Sequence, residues 1–311
     1  MSTPPGDQLK KFEAKVKTEW LDDATCAAWR RWHDKSVHFW RELTEQQLAV
    51  ASLAASQRVL DLASGTGDPA LDIARIVGPK GHVVVTDLAP QMLEIARENA
   101  VRAGLANLSY EVVDAHTMPF PDASFDRASC RLGVMFFWDC QKALAEIRRV
   151  LKPGGTCVHL MPTVSWRFWT TVTAFPTAFQ KIAARAGELR QPGQRWSQRL
   201  RRVALFPVVA LGTLLAPFFQ NRHGERGNVL TELWLFRTAW WRRNFLTNGF
   251  EIVEDHPSGL FYTGYFFLGR RLSLARRERW ARRLGSACHV FRLRVAAAGR
   301  GGDSPAPSAG A

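Results

Sequence analysis

The sequence contains few cysteines, and their arrangement does not suggest a disulfide framework or a zinc site. It has five cysteines in 311 residues, and no two of them form a C-x-x-C pair. Residues 1–17 are polar and lack the apolar stretch of a secretory signal peptide. We therefore expect a cytoplasmic protein that holds no structural metal.

The sequence also lacks a convincing membrane span. The uncharged apolar run Val203–Phe219 is shorter than the roughly 20 residues that a spanning helix needs. It is also interrupted by Pro207, Gly212 and Pro217, which argues against a continuous span. Three alternatives follow: a spanning helix, a buried helical hairpin or lid, and a lid that dips into a membrane surface.

Acidic residues are scarce relative to basic ones, and the imbalance is local. The chain has 42 Lys and Arg against 28 Asp and Glu, a net charge of +14. Residues 162–230 hold ten basic and two acidic residues, and residues 256–286 hold seven arginines and one acid. Such blocks favour an anionic partner such as membrane headgroups or a phosphate-bearing substrate, although a solvated basic face is the simpler explanation. Nucleic acid is an unlikely partner because no RNA-binding signature is present.

Hydrophobic periodicity predicts an α/β fold. Short β-rich segments alternate with helical ones from Arg58 onward, which indicates a parallel sheet with helices on both faces. The predicted strands are Arg58–Leu62, His82–Asp87, Leu108–Val113, Phe125–Cys130, Thr156–Leu160, Phe250–Val253 and Ala287–Leu293. We divide the chain into an N-terminal helical cap (1–50), a core (51–161), a basic aromatic insertion (162–230), a core helix and sixth strand (231–255), a second basic insertion (256–286), a last strand (287–296) and a disordered tail (297–311).

Three features at the ends of consecutive predicted strands point to a nucleoside site. The first strand runs into the glycine-rich turn of residues 59–68, VLDLASGTGD. Asp87 ends the second strand, 22 residues after Gly65, and is suited to accept both ribose hydroxyls. Asp114 ends the third strand and is placed to receive an adenine amino group. Ligands of open α/β sheets bind along this edge.

The glycine-rich turn and three later segments resemble class I S-adenosylmethionine (SAM)-dependent methyltransferases, especially the ubiquinone/menaquinone C-methyltransferase branch. The three segments are VVVTDLAPQML (83–93), VVDAHTMPFPDASFD (112–126) and RRVLKPGG (148–155). The resemblance implies a Rossmann-like seven-stranded sheet and SAM as the cofactor. The cofactor-binding residues that it implies are Asp61, Ala63, Gly65, Thr66, Gly67, Asp87, Leu88, Asp114, Ala115 and Arg131.

An NAD-dependent oxidoreductase is the alternative enzyme class. The residues from Gly65 to Ala70 fit the G-x-G-x-x-A fingerprint of dinucleotide sites. However, Asp68 brings negative charge to the helix start, where a pyrophosphate would bind. The same charge suits the cationic sulfonium of SAM. A SAM-binding or lipid-binding module without catalytic activity is the non-enzyme alternative.

The sequence departs from the quinone methyltransferases after the fourth strand. Those enzymes carry an Arg-Asn pair where this chain has Met135 and Phe136, which argues against methylation of a quinone ring. The Asn/Asp-Pro-Pro-aromatic motif of nucleic-acid amino methyltransferases is also absent at this site, which argues against methylation of a base.

Both basic insertions follow strands that end at the cofactor edge, so we expect two helical, aromatic lids above the active site. A cationic, aromatic lid predicts a hydrophobic or lipid-linked small-molecule acceptor, methylated at the inner face of the membrane. A catalytic base is needed only if the acceptor must lose a proton. The candidates are His116, His223 and Tyr262.

Overall fold

The computed structural model describes residues 6–189, 196–216, 229–261 and 272–296. The candidate bases His223 and Tyr262 lie outside these ranges, as does the predicted tail. No helix within these ranges is long and apolar enough to cross a membrane.

A seven-stranded mixed sheet forms the core and confirms the predicted Rossmann-like architecture. Its strands are β1 (Arg58–Leu62), β2 (His82–Asp87), β3 (Leu108–Val112), β4 (Phe125–Arg131), β5 (Leu151–Pro162), β6 (Phe250–Pro257) and β7 (Cys288–Val295). They are arranged in the order β3-β2-β1-β4-β5-β7-β6. The first five strands are parallel, whereas β7 runs antiparallel to both of its neighbours. The carboxyl ends of β1 to β6 therefore share one edge, where the cofactor site was predicted.

Helices surround the sheet. They are α1 (Gly6–Trp20), α2 (Asp23–Val50), α3 (Ala70–Val77), α4 (Pro90–Arg102), α5 (Cys140–Val150), α6 (Val164–Glu188), α7 (Trp196–Leu215), α8 (Val229–Leu235), α9 (Thr238–Thr247) and α10 (Leu274–Leu284). Alternate residues of one strand face opposite layers, as the pleat requires. Val83 and Val85 pack with α3 and α4, while Val84 between them belongs to the other cluster, with α5 and α9.

The Lys-Pro-Gly-Gly segment of residues 152–155 lies inside a strand and does not precede it. We predicted a strand from Thr156, but β5 already begins at Leu151. The register with β4 shifts between Phe125 and Arg127, so the extra residues form an irregularity in the ladder. Gly154 has a φ of +75°, a conformation that glycine adopts without strain.

The two basic insertions leave the sheet side by side and contact each other. Pro162 at the end of β5 and Pro257 at the end of β6 pair with adjacent residues of β7. Beyond the sheet, the Ser165 hydroxyl donates to the Leu284 carbonyl (2.6 Å), and the Trp169 indole N–H donates to the same oxygen (3.1 Å). The start of α6 is thus attached to the end of α10.

Candidate functional site

A cavity of about 300 Å³ opens at the carboxyl edge of the sheet, a size at the lower end of small-molecule sites. The loops after β1, β2, β3 and β4 line it, together with residues of α1, α2 and α6. Most of the predicted site residues meet here: Ala63, Gly65, Thr66, Asp87, Leu88, Asp114, Ala115, His116 and Arg131. Asp61 and Gly67 lie outside the cavity wall.

The two glycines of the turn have different roles. Gly65 has a φ of +53°, and a Cβ built on it would meet no atom within 4 Å, so the backbone borders open space. Gly67 has a φ of +100°, and its Cβ would lie 3.3 Å from Ala96 Cβ on α4. Gly65 therefore allows a ligand to approach the backbone, whereas Gly67 allows the turn to pack against a helix.

Asp61 is a buried carboxylate without a hydrogen-bond partner in the described part of the chain. Its residue is 0% exposed, and neither carboxylate oxygen is hydrogen-bonded. Burial raises the pKa of Asp61 to about 6, although the nearby Ser64 and Ser129 side chains act in the opposite direction. Such a group makes a nearby cation favourable, because the cation offsets the penalty of burying a negative charge. SAM carries two cationic groups, the sulfonium and the ammonium, although Asp61 itself does not line the cavity.

Asp87 is held in place by the backbone. Its Oδ2 accepts the Gly65 N–H (2.8 Å), and its Oδ1 accepts the Ala89 N–H (3.0 Å). Burial raises the pKa of this carboxyl. Each carboxylate oxygen has a second lone pair, so Asp87 can still accept hydroxyl groups from a ligand. The geometry suits the predicted contact with a ribose.

Asp114 and His116 form a closed polar unit on the cavity wall. His116 Nδ1 lies 2.5 Å from Asp114 Oδ1, and the Asp139 backbone N–H donates to His116 Nε2 (3.1 Å). Burial opposes ionisation of Asp114, but hydrogen bonds from His116 outweigh it and lower the pKa of Asp114. The His116 ring also stacks on Trp138, with centroids 4.0 Å apart. Because both ring nitrogens have partners, His116 is better suited to orienting Asp114 than to removing a proton.

Arg131 joins the end of β4 to the glycine-rich turn and to α2. Its Nη1 donates to Asp68 Oδ2 (2.6 Å) and to Thr44 Oγ1 (2.7 Å), and its Nη2 donates to the Asp68 carbonyl (2.7 Å). The Asp68 charge that argued against a pyrophosphate is therefore paired with a cation within the protein.

Helix α2 contributes polar contacts that the sequence analysis did not predict. His33 Nδ1 is hydrogen-bonded to Thr66 Oγ1 (2.8 Å), and the Gln47 amide donates to Ser129 Oγ (3.0 Å). Helix α2 lies within the predicted helical cap, and its Trp32 side chain is 49% exposed. The only local signal for these contacts was a polar residue on the apolar side of a helix.

Seven Trp and Phe side chains line the cavity: Trp20, Trp29, Trp40, Phe136, Phe137, Trp138 and Trp166. Trp20 and Phe136 meet edge to face, with centroids 5.1 Å apart. Met135 also lines the cavity. The two residues that replace the polar pair of quinone methyltransferases therefore give this wall an apolar surface.

Comparison with known proteins decides the family. The sequence model of the ubiE/COQ5 methyltransferase family matches residues 33–192, about half of the chain. The chain belongs to this family. It is therefore a SAM-dependent methyltransferase, as its motifs predicted, and the NAD-dependent alternative is not supported.

Curated methyltransferases are similar to about half of the chain. The chain is 33% identical over 193 residues to a ubiquinone/menaquinone biosynthesis C-methyltransferase from Bordetella avium, covering 58% of this chain and 71% of that protein. It is 42% identical over 146 residues to a demethylmenaquinone methyltransferase from Deinococcus radiodurans, covering 45% and 58% of the two chains. Several other curated relatives are matched over about half of their length.

A solved structure shows the same fold. A chain of the complex between the Haloferax volcanii Trm112 methyltransferase activator and a methyltransferase aligns with a TM-score of 0.53 at 19% identity. The alignment covers 91% of this chain and 97% of that one. At this identity the similarity supports the architecture alone.

Proposed function

We propose that this enzyme methylates a hydrophobic or lipid-linked small molecule at a membrane surface. The observation that carries the proposal is the set of Trp and Phe side chains on the wall of the same cavity that holds the predicted cofactor residues. When bound, SAM supplies an electrophilic methyl group. The curated relatives named above carry names that refer to ubiquinone and menaquinone biosynthesis, and both compounds are lipid-linked.

The cavity wall favours an apolar, flat acceptor. Trp20, Phe136 and Trp166 offer ring faces and edges that gain free energy by excluding water. The Arg-Asn pair of the quinone enzymes is replaced by Met135 and Phe136, so a quinone ring would lose two polar partners here. We therefore infer that the acceptor is lipid-like but is not held by those polar contacts.

The described side chains of the cavity wall are better suited to positioning the acceptor than to removing a proton from it. His116 has partners on both nitrogens, Asp68 is paired with Arg131, and burial raises the pKa of Cys288 to about 12. We infer that the acceptor atom is already nucleophilic near neutral pH, so that alignment with the methyl group supplies much of the acceleration.

The helices of the two basic insertions expose apolar and basic side chains. On α7 the exposed apolar side chains include Val203, Leu205, Val208, Val209, Leu211 and Leu215, so burial inside the protein is not seen for the described part of this run. The adjoining α6 exposes Phe168, Val172 and Phe179. Four arginines of α10 are also exposed: Arg276, Arg279, Arg282 and Arg283. Exposed apolar side chains suit the interior of a membrane, and exposed arginines suit the headgroups of anionic lipids.

Vesicle flotation tests the membrane part of the proposal. The protein should float with vesicles that contain phosphatidylglycerol and should bind less well to pure phosphatidylcholine. Val208→Asp should reduce flotation, because it places a charge on the surface that enters the lipid. Val101→Asp is the matched control, because Val101 is 74% exposed, Val208 is 68% exposed, and Val101 lies at the far end of α4. Equal flotation of the two variants would contradict the assignment of α7.

A transfer experiment tests the acceptor. Lipid and metabolite extracts are incubated with the enzyme and methyl-labelled SAM, and the labelled products are identified by mass spectrometry. We expect label in an apolar extract fraction. Label only in water-soluble metabolites would refute the proposed acceptor class. Tight SAM binding without transfer to any fraction would favour the non-catalytic module.

A further inference from the structure

The guanidinium of Arg131 has one edge that is paired and one that is not. Nη1 and Nη2 both donate to Asp68, and the second N–H of Nη1 donates to Thr44 Oγ1. Guanidinium has five N–H groups, so Nε–H and one N–H of Nη2 are left without an acceptor among the described residues. These two N–H groups lie on the same edge of the planar group and point in parallel. This geometry matches the two oxygens of a carboxylate.

The charge around the cavity singles out the same group. Arg131 is the only Lys or Arg on the described cavity wall, whereas Asp68, Asp87 and Asp114 also line it. The Arg131 side chain is 13% exposed, so it is held within the wall rather than in bulk solvent. Among the side chains that line the described cavity wall, Arg131 is therefore the Lys or Arg available to the carboxylate of a ligand.

The position of Arg131 along the sheet edge relates it to one part of the cofactor. The strand ends follow the order β3, β2, β1, β4. Asp114 follows β3, Asp87 ends β2, Gly65 follows β1 and Arg131 ends β4. If adenine and ribose lie at the first two strand ends, the amino-acid part extends past the glycine turn toward β4.

We propose that the unpaired edge of Arg131 binds the carboxylate of the amino-acid part of SAM, and so makes the enzyme select SAM over the same molecule without its carboxylate. This inference rests on the cofactor site described above. The Asp68 and Thr44 contacts hold the guanidinium in one orientation, so little side-chain freedom is lost on binding. The carboxylate, not the sulfonium, is then the group that Arg131 recognises.

Isothermal titration calorimetry with two ligands tests the proposal. The ligands are SAM and decarboxylated SAM, which differ only in the carboxylate. The wild type should prefer SAM by about 100-fold, the size expected for a paired, charge-assisted contact. Arg131→Met should abolish this preference by weakening SAM binding alone. Arg131→Lys should retain part of it, because lysine keeps the charge but lacks the parallel N–H groups.

Three controls separate this contact from general damage. Arg127→Met removes an arginine four residues earlier on β4 and should leave both affinities unchanged. Asp87→Ala should weaken both ligands equally, since they share the ribose. Asp68→Asn combined with Arg131→Met removes both charges of the ion pair, and a melting curve for each variant checks folding.

Each other outcome has a distinct meaning. An unchanged preference for SAM in Arg131→Met would overturn the inference and leave the cofactor site intact. The inference would also be overturned if the folded double variant Asp68→Asn/Arg131→Met lost the same affinity for both ligands. Arg131 would then support the shape of the cavity wall and would not recognise the carboxylate. Failure of the wild type to bind either ligand would instead refute the cofactor site itself.

Discussion

Replacing Asp61 with asparagine should change how the stability of the protein depends on pH. Asp61 is completely buried, and its pKa rises from 3.8 to about 6 because of that burial. The folded protein thus keeps the Asp61 proton at pH values where the unfolded chain has lost it. At 1.36 kcal/mol for each pKa unit, the difference corresponds to about 3 kcal/mol.

The sign follows from this difference. The contribution of Asp61 to wild-type stability is fully present below a pH of about 4 and is lost as the pH rises through about 6. An asparagine side chain does not ionise and would show no such loss. We compare the free energy of unfolding of Asp61→Asn with that of the wild type at each pH. The difference, variant minus wild type, should increase by about 3 kcal/mol as the pH rises from about 4 to about 7.5.

Urea unfolding without SAM, repeated across this pH range, measures the effect. A constant offset from the buried amide of the variant cancels in the comparison. Asp126→Asn is the control with the opposite sign: Lys152 lies 2.6 Å from Asp126 and lowers its pKa against the effect of burial. That carboxylate stabilises the wild type at higher pH and loses its effect as the pH falls. A pH-independent difference for Asp61→Asn would refute the reasoning.

Two other changes test packing near the site. Arg167 Nε lies 2.7 Å from Glu232 Oε2 in a fully buried ion pair, so Arg167→Met should lower the free energy of unfolding by about 3–5 kcal/mol. The double variant Arg167→Met/Glu232→Gln should recover most of that loss. Urea titration measures both variants, and a double variant as unstable as Arg167→Met would contradict this expectation. Gly133→Ala would place a Cβ 2.7 Å from Ala63 Cβ and should lower stability by about 1–3 kcal/mol. In contrast, Gly187→Ala meets no atom within 4 Å, and a thermal melt of both variants should show this difference.

Local patterns were sufficient to locate most of the strands and to name residues that meet at one cavity. β1 and β2 have the bounds predicted for them, because their central residues are buried on both faces of the sheet. Gly65 and Asp87 could be paired from spacing alone, since consecutive parallel strands bring their carboxyl ends to one edge. The structure adds that the Gly65 N–H donates directly to Asp87.

The same patterns were less informative where packing decides a residue's role. Gly67 belongs to the motif, but its missing side chain makes room for Ala96 rather than for the ligand. The Lys-Pro-Gly-Gly residues favour a turn but form an irregularity within β5, because pairing with β4 outweighs their turn preference. His116 is predicted as a candidate base, and only the tertiary structure shows that the backbone N–H of Asp139, 23 positions away, donates to its second nitrogen.

The sequence by itself determined the alternation of strands and helices, the glycine turn and the acidic residues at the strand ends, since each depends on neighbours close in the chain. Only the tertiary structure decided how α1 and α2 cover the cavity and which edge of Arg131 is paired. Gln47 contacts Ser129 across 82 positions, and Arg131 contacts Thr44 across 87. Such contacts depend on how whole elements pack, and a hydrogen bond between distant segments has no periodic signature in either of them.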